Sequence, residues 1–127
     1  MPTTVPARPS ANAYLLAAIA VLLLSFYLFF TPGDRLPVIT WLDAIYFDKW
    51  VHAGLFLLLV WLWCRALAKG HWHYRVVSLL TVLAIGYGIA VEYIQEAWVP
   101  YRSFDVLDMI ADGVGALLGA VLYRRWR

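Results

Sequence analysis

Carboxylates, a histidine and two cations gather in three short stretches of this chain. Asp48-Lys49-x-x-His52 opens one apolar run, Glu92-x-x-Gln95 closes another, and Arg102, Asp105, Asp108 and Asp112 lead into a last one. Oxygen donors of this hard type, with an imidazole, could hold a divalent cation. Asp48 or His52 with Glu92 could instead divide general acid and base work. Lys49 and Arg102 could receive a phosphate or carboxylate. No serine or cysteine nucleophile is evidently placed beside them, and the ligand spacing is not diagnostic of a metal.

Part of this pattern has a plainer explanation. Asp48 and Asp105 stand where helix N-caps belong, and Asp108 lies within a first turn, where negative charge suits the helix dipole. Lys49 and Arg102 would then merely neutralise them, and His52 would be a hydrogen-bonded core histidine. Glu92 and Asp112 resist that account. At ~1.5 Å per residue, Glu92 sits on the order of 10 Å below Val99, and Asp112 a similar distance below Asp105. An acid at the centre of a membrane helix costs ~2.5–3.5 kcal/mol on insertion scales. Both should therefore face the bundle interior and find partners there. Asp112 shares a helical face with Asp105, with Asp108, Gly115 and Gly119 close to it, and is expected against Glu92 and His52.

The elements that must position these groups are membrane helices. Hydrophobic residues make up 64% of the 127 and charged residues 14%, against roughly 45–50% and about 25% in soluble domains. One soluble core of this size could not hide so much apolar surface. Four apolar segments, about 13–30, 50–68, 76–99 and 106–123, each approach the ~20 residues that span a bilayer. The expected fold is all-α: a transmembrane four-helix bundle forming a single domain over 13–127, behind a flexible N-terminal tail, 1–12. The first segment reads as a retained anchor and not a cleaved signal, because it is long and Thr31-Pro32-Gly33 is no small-x-small cleavage site. Cys64 is the sole cysteine, so no intrachain disulfide forms.

Four spans put both termini on one side. That side collects Arg8, Arg65, Lys69, Arg75, Arg124, Arg125 and Arg127; the other has Arg35, Lys49 and Arg102, with all eight acids directed toward it. The positive-inside rule places the termini in the cytoplasm and the polar cluster outward. In the outer 31–47 loop, Pro37 could open a short helix, since Val38, Trp41, Leu42, Ile45 and Tyr46 recur at helical spacing. It suits an interfacial connector, with a lid over the cluster as the sharper alternative. On the other side, His71-x-His73 lacks a third metal ligand and reads as loop. Gly115-x-x-x-Gly119, with Gly113, would admit a close helix neighbour, and Gly86 and Gly88 would do the same for the third span. Close packing of the third and fourth spans would bring Glu92 toward Asp108 and Asp112.

Taken in order, Asp48-Lys49-x-x-His52, Glu92-x-x-Gln95, Arg102-Ser103-x-Asp105-x-x-Asp108 and Gly115-x-x-x-Gly119 resemble the VanZ-like family of small bacterial membrane proteins. The resemblance runs from about Asp48 to Gly119; its specificity lies in the ordered set, and the first span gains nothing from it. Asp112 departs from it, where the family usually has asparagine, as does Phe56, where it often has tyrosine. The resemblance implies a multi-pass protein of the bacterial cytoplasmic membrane. A founding member is linked to resistance to the glycopeptide teicoplanin, which points to envelope chemistry at the outer face without supplying a reaction. The expected partners are the lipid bilayer and an envelope lipid-linked ligand or glycopeptide-related molecule, with no nucleic acid. Binding or accessory envelope function ranks slightly ahead of the alternative, a membrane-embedded enzyme acting on a lipid-linked substrate. Transport ranks last, because the polar groups leave no path to the side of the termini.

Overall fold

In a computed structural model that describes residue 1 and residues 5–127, the chain folds into five α-helices. They are α1 (Ala11–Phe30), α2 (Thr40–Ala44), α3 (Phe47–Leu67), α4 (His73–Trp98) and α5 (Val106–Arg125). Strands are absent among the described residues. Of the tail expected over residues 1–12, residues 2–4 lie outside the described ones, and α1 takes in Ala11 and Asn12. Helices α1, α3, α4 and α5 are long and apolar enough to cross a membrane, with mean hydropathies from 1.6 to 2.4. Their outer faces carry Leu23, Tyr27, Leu79, Val82, Leu117 and Val121, all exposed, as lipid-facing side chains must be. The molecule is a transmembrane four-helix bundle with one short extra helix in the first loop.

Local chemistry sets the helix ends. Ser10 caps α1, its Oγ accepting the Ala13 N–H at 3.2 Å. The helix stops at Phe30 because Pro32 disfavours a helical Thr31. Pro100 ends α4 in the same way, leaving Val99 extended. Asp105 caps α5 by accepting the Leu107 N–H at 2.8 Å, and Arg124 and Arg125 sit at its negative end. Asp48 does not cap α3. Tyr46 holds that place in the left-handed conformation (φ 56°), so Asp48 lies within the first turn. The same reversal at Tyr46 keeps the loop helix short. Pro37 and Val38 stay outside it, and only Thr40–Ala44 is helical.

Helix α3 lies at the centre, packed chiefly against α5 and α1. The close neighbour that the glycine stripe of α5 admits is α3. A Cβ on Gly115 would overlap the Ala53 carbonyl, and one on Gly119 would stand 2.5 Å from the Leu57 carbonyl oxygen. Of the two glycines of α4, Gly88 is the one set against α5, where a Cβ would lie 2.8 Å from Asp112 Cβ. Gly86 and Gly113 face open space. Between α1 and α4, the Ser25 hydroxyl donates to Leu22 O at 2.7 Å and shares a 2.9 Å hydrogen bond with Tyr87 Oη. Phe56, Val60, Cys64, Val77 and Val91 fill the core.

The two ends of the bundle are held differently. At the end carrying the termini, the Tyr123 hydroxyl donates to Ala68 O at 2.5 Å and Arg65 to Trp126 O at 2.7 Å. His73 begins α4 there and bonds to Gly70 O at 2.8 Å, while Arg127 also reaches its ring. At the opposite end, the Gly33 N–H donates to Pro100 O at 3.0 Å, pinning the first loop to the last. A side chain at position 33 would overlap the Tyr101 carbonyl, so this approach requires glycine.

Candidate functional site

The end of the bundle that carries those two loops gathers polar groups from α3, α4 and α5. The Lys49 ammonium sits among carboxylates: it donates to Asp48 at 2.8 Å and Asp105 at 2.5 Å, and lies 2.9 Å from Asp108 Oδ1. Asp48 is the exposed rim of this group, with 59% of its side chain accessible. One turn deeper, His52 Nδ1 meets Asp112 Oδ1 at 2.8 Å, and both side chains are buried. Phe29 of α1 stacks on the imidazole, 4.6 Å between ring centroids. On its other edge, Nε2 faces Asp108 Oδ2 at 3.7 Å.

Glu92 comes to the same level from α4, with no solvent exposure. Its Oε2 accepts the Asp105 N–H at 2.9 Å, so it helps fix the start of α5. Its Oε1 and Asp112 Oδ2 are buried with no hydrogen-bond partner among the described residues. Ligand atoms of His52, Glu92 and Asp108 lie within 4.8 Å of one another; those of Asp48, Asp105 and Asp108 form a second such group. Asp112 thus meets His52 as expected, but Glu92 approaches Asp108 and His52 instead of bonding to Asp112.

Electrostatics follow from this arrangement. The Asp105 carboxyl is held below the usual carboxylate range, chiefly by its hydrogen bond from Lys49, with the Leu107 N–H adding to the effect. Burial lowers the pKa of the Arg102 guanidinium, against the opposing pull of Asp108, Glu92 and Asp48.

Gln95 and Arg102 serve a purpose their spacing did not announce. Gln95 Nε2 donates to Phe29 O at 2.8 Å. Arg102 donates through Nη2 to Leu28 O at 2.8 Å and through Nε to Thr31 O at 3.2 Å. Together they satisfy the last carbonyls of α1, where cations and donors are favoured. Arg102 therefore has carbonyl partners, and among the described residues it forms no ion pair with a carboxylate. Lys49 is likewise engaged, by three carboxylates. Phe29, which roofs the imidazole, is a site residue the sequence signalled only by its place at the end of the first span.

A cavity of about 460 Å³ opens between the end of α1, the 31–46 connection and the start of α3. Asp48, His52 and Arg102 line its polar side; Leu36, Val38, Leu42 and Phe47 line its apolar side. Such a space suits a molecule with a polar head and an apolar body.

Comparison with known proteins agrees with this architecture. The chain matches the VanZ/LLP1 family over residues 12–127, so the likeness takes in the first span as well as the polar motifs. An uncharacterised protein of the yeast Schizosaccharomyces pombe is 33% identical over 116 residues, covering 86% of this chain. The chain spans 63% of that relative's length, and the relative is fungal, so likeness of this kind is not confined to bacteria. No solved structure matches the chain. A match from Asn12 to the last residue, carried by four membrane-crossing helices, settles the kinship: this chain belongs to the VanZ/LLP1 family.

Proposed function

We propose that this protein is a cell-envelope binding or accessory protein of the bacterial cytoplasmic membrane, related in role to the teicoplanin-resistance proteins. Its polar cluster faces outward and its termini lie in the cytoplasm, a reading that rests on the basic residues collected at the end bearing the termini. The functional residues are Asp48, Lys49, His52, Glu92, Gln95, Arg102, Asp105, Asp108 and Asp112, within one domain over 13–127. The observation that carries the proposal is the cavity joining Asp48, His52 and Arg102 to an apolar wall. Its ligand is the head of a lipid-linked envelope molecule or a glycopeptide-related one, with the apolar part along Leu36, Val38 and Leu42.

The test is native mass spectrometry of the full-length protein in detergent, with a lipid-linked cell-wall precursor and teicoplanin as separate probes. One precursor or one drug molecule per chain, lost in V38D and H52A, is the expected result. No retained probe at saturating concentration overturns the proposal. A second reading, a membrane-embedded enzyme acting on a lipid-linked substrate at the outer leaflet, is favoured by one observation. The buried Asp112–His52 pair orients an imidazole as a general base requires. Turnover of the precursor, abolished in H52A, would establish it.

A further inference from the structure

The two overlapping groups of ligand atoms differ in one respect. Asp48, Asp105 and Asp108 already surround a cation, the Lys49 ammonium. His52, Glu92 and Asp108 surround none. With Asp112 ionised and the imidazole neutral, the ring proton lies on Nδ1 and is donated to Asp112. The lone pair on Nε2 then points at Asp108 Oδ2, 3.7 Å away, and a carboxylate oxygen of Glu92 completes the group within 4.8 Å. Three electron-rich atoms facing one another in a membrane-buried site repel unless a proton or a cation lies between them. Glu92 sharpens the point: it is wholly buried and its Oε1 has no hydrogen-bond partner among the described residues.

We propose that His52, Glu92 and Asp108 form a binding site for one divalent transition ion, Mn²⁺ or Zn²⁺, with Asp112 as the residue that orients His52. An imidazole with two carboxylates suits these ions better than Mg²⁺ or Ca²⁺, which take oxygen ligands alone. Metal-bound histidines characteristically donate their other ring N–H to a carboxylate, as His52 does to Asp112. Ligands on a common ion stand roughly 3–4 Å apart, so modest side-chain rotation closes the group. Three protein ligands leave coordination positions for an oxygen of a bound molecule. That gives an anionic head group an attachment point in a site where Lys49 and Arg102 are both engaged. The inference shares its pocket with the proposed function but stands without any organic ligand.

The experiment uses the full-length protein without a polyhistidine tag, purified in detergent, stripped with EDTA and titrated with Mn²⁺ under electron paramagnetic resonance. The expected result is one bound Mn²⁺ per chain, displaced by Zn²⁺, with nitrogen coupling from one imidazole. The chain has three histidines, so H71A/H73A leaves His52 as the sole nitrogen ligand of that kind, and the coupling should persist there. E92Q should weaken binding at least tenfold, whereas D48N should leave it within about twofold, and H52Q should abolish the coupling. Absence of stoichiometric binding in the wild type overturns the proposal, as does loss of coupling in H71A/H73A or a site that responds to D48N but not to H52Q. The two readings fail separately. Metal binding in a protein that retains neither lipid-linked precursor nor teicoplanin sinks only the proposed function. Retention of either probe by a protein that binds no Mn²⁺ or Zn²⁺ sinks only the metal site.

Discussion

His52 and Asp112 are 60 residues apart in sequence, yet Nδ1 of one meets Oδ1 of the other at 2.8 Å. The pair links α3 to α5 with both side chains buried. Its geometry depends on two small residues. Gly88 leaves room for the Asp112 side chain, and Gly115 lets α5 lie against the α3 backbone.

Removing the acceptor should therefore cost stability. In D112A the imidazole N–H is left buried without a partner, a loss of about 1–3 kcal/mol. D112N keeps an accepting oxygen and removes a buried charge, so its stability should stay within about 1 kcal/mol of wild type. Thermal unfolding in detergent, followed by circular dichroism, separates the two. Equal melting of D112A and wild type would show that the pair contributes nothing to the fold.

The glycines of α5 predict opposite outcomes two residues apart. G115A forces a methyl into the Ala53 carbonyl, and the helices must separate at a cost of about 1–3 kcal/mol or more. Gly113 meets open space, so G113A should gain up to about 1 kcal/mol from helix propensity alone. The same unfolding measurement reads both. A destabilised G113A beside a neutral G115A would mean that the α3–α5 contact is misassigned.

Arg102 and Gln95 hold the end of α1 through three carbonyls. R102K retains the charge but cannot span Leu28 and Thr31 with one ammonium as the guanidinium fork does. Hydrogen exchange over residues 28–36 should accelerate by about tenfold or more in R102A, corresponding to ~1.4 kcal/mol of local stability. R102K should fall between R102A and wild type. Unchanged exchange in R102A would show that the fork does not restrain this segment.

Which features were legible in the sequence follows from the physics of each. Four apolar runs near bilayer length announce membrane helices, because lipid permits few other spanning structures. The depth of Glu92 and Asp112 announced that they must turn inward, since a carboxylate facing lipid is costly. Helical spacing puts Gly115 and Gly119 on one face but cannot say which helix occupies it, and that helix is α3. Asp48 illustrates a further limit. Its cap role was reasonable by composition, but a left-handed Tyr46 takes the cap and starts the helix two residues earlier. The partners of Arg102 were also hidden, because backbone carbonyls have no signature in the sequence and a nearby cluster of acids offers a misleading alternative.

Asp105 gives the last prediction, and it separates two roles one residue plays. It caps α5 through Leu107 and it accepts a hydrogen bond from Lys49. Because its folded pKa is depressed, mainly by Lys49, the stability it contributes is fully present above the ordinary aspartate value of ~3.9 and is lost as pH falls through the lower folded value. The wild-type melting temperature should therefore drop as pH is lowered below about 4. Asparagine caps helices about as well as aspartate, so D105N should keep the α5 start at neutral pH while losing the charge that pairs with Lys49. Other carboxylates titrate in the same interval, which makes the difference between the two curves the informative quantity. Since 36% of the Asp105 side chain is exposed, solvent screens the pair and that difference should be small but directional. The two melting curves should converge as the solution is acidified, measured in detergent from neutral pH to about pH 3. Parallel curves across that range would mean that the Lys49 contact carries no stability and that Asp105 acts only as a cap.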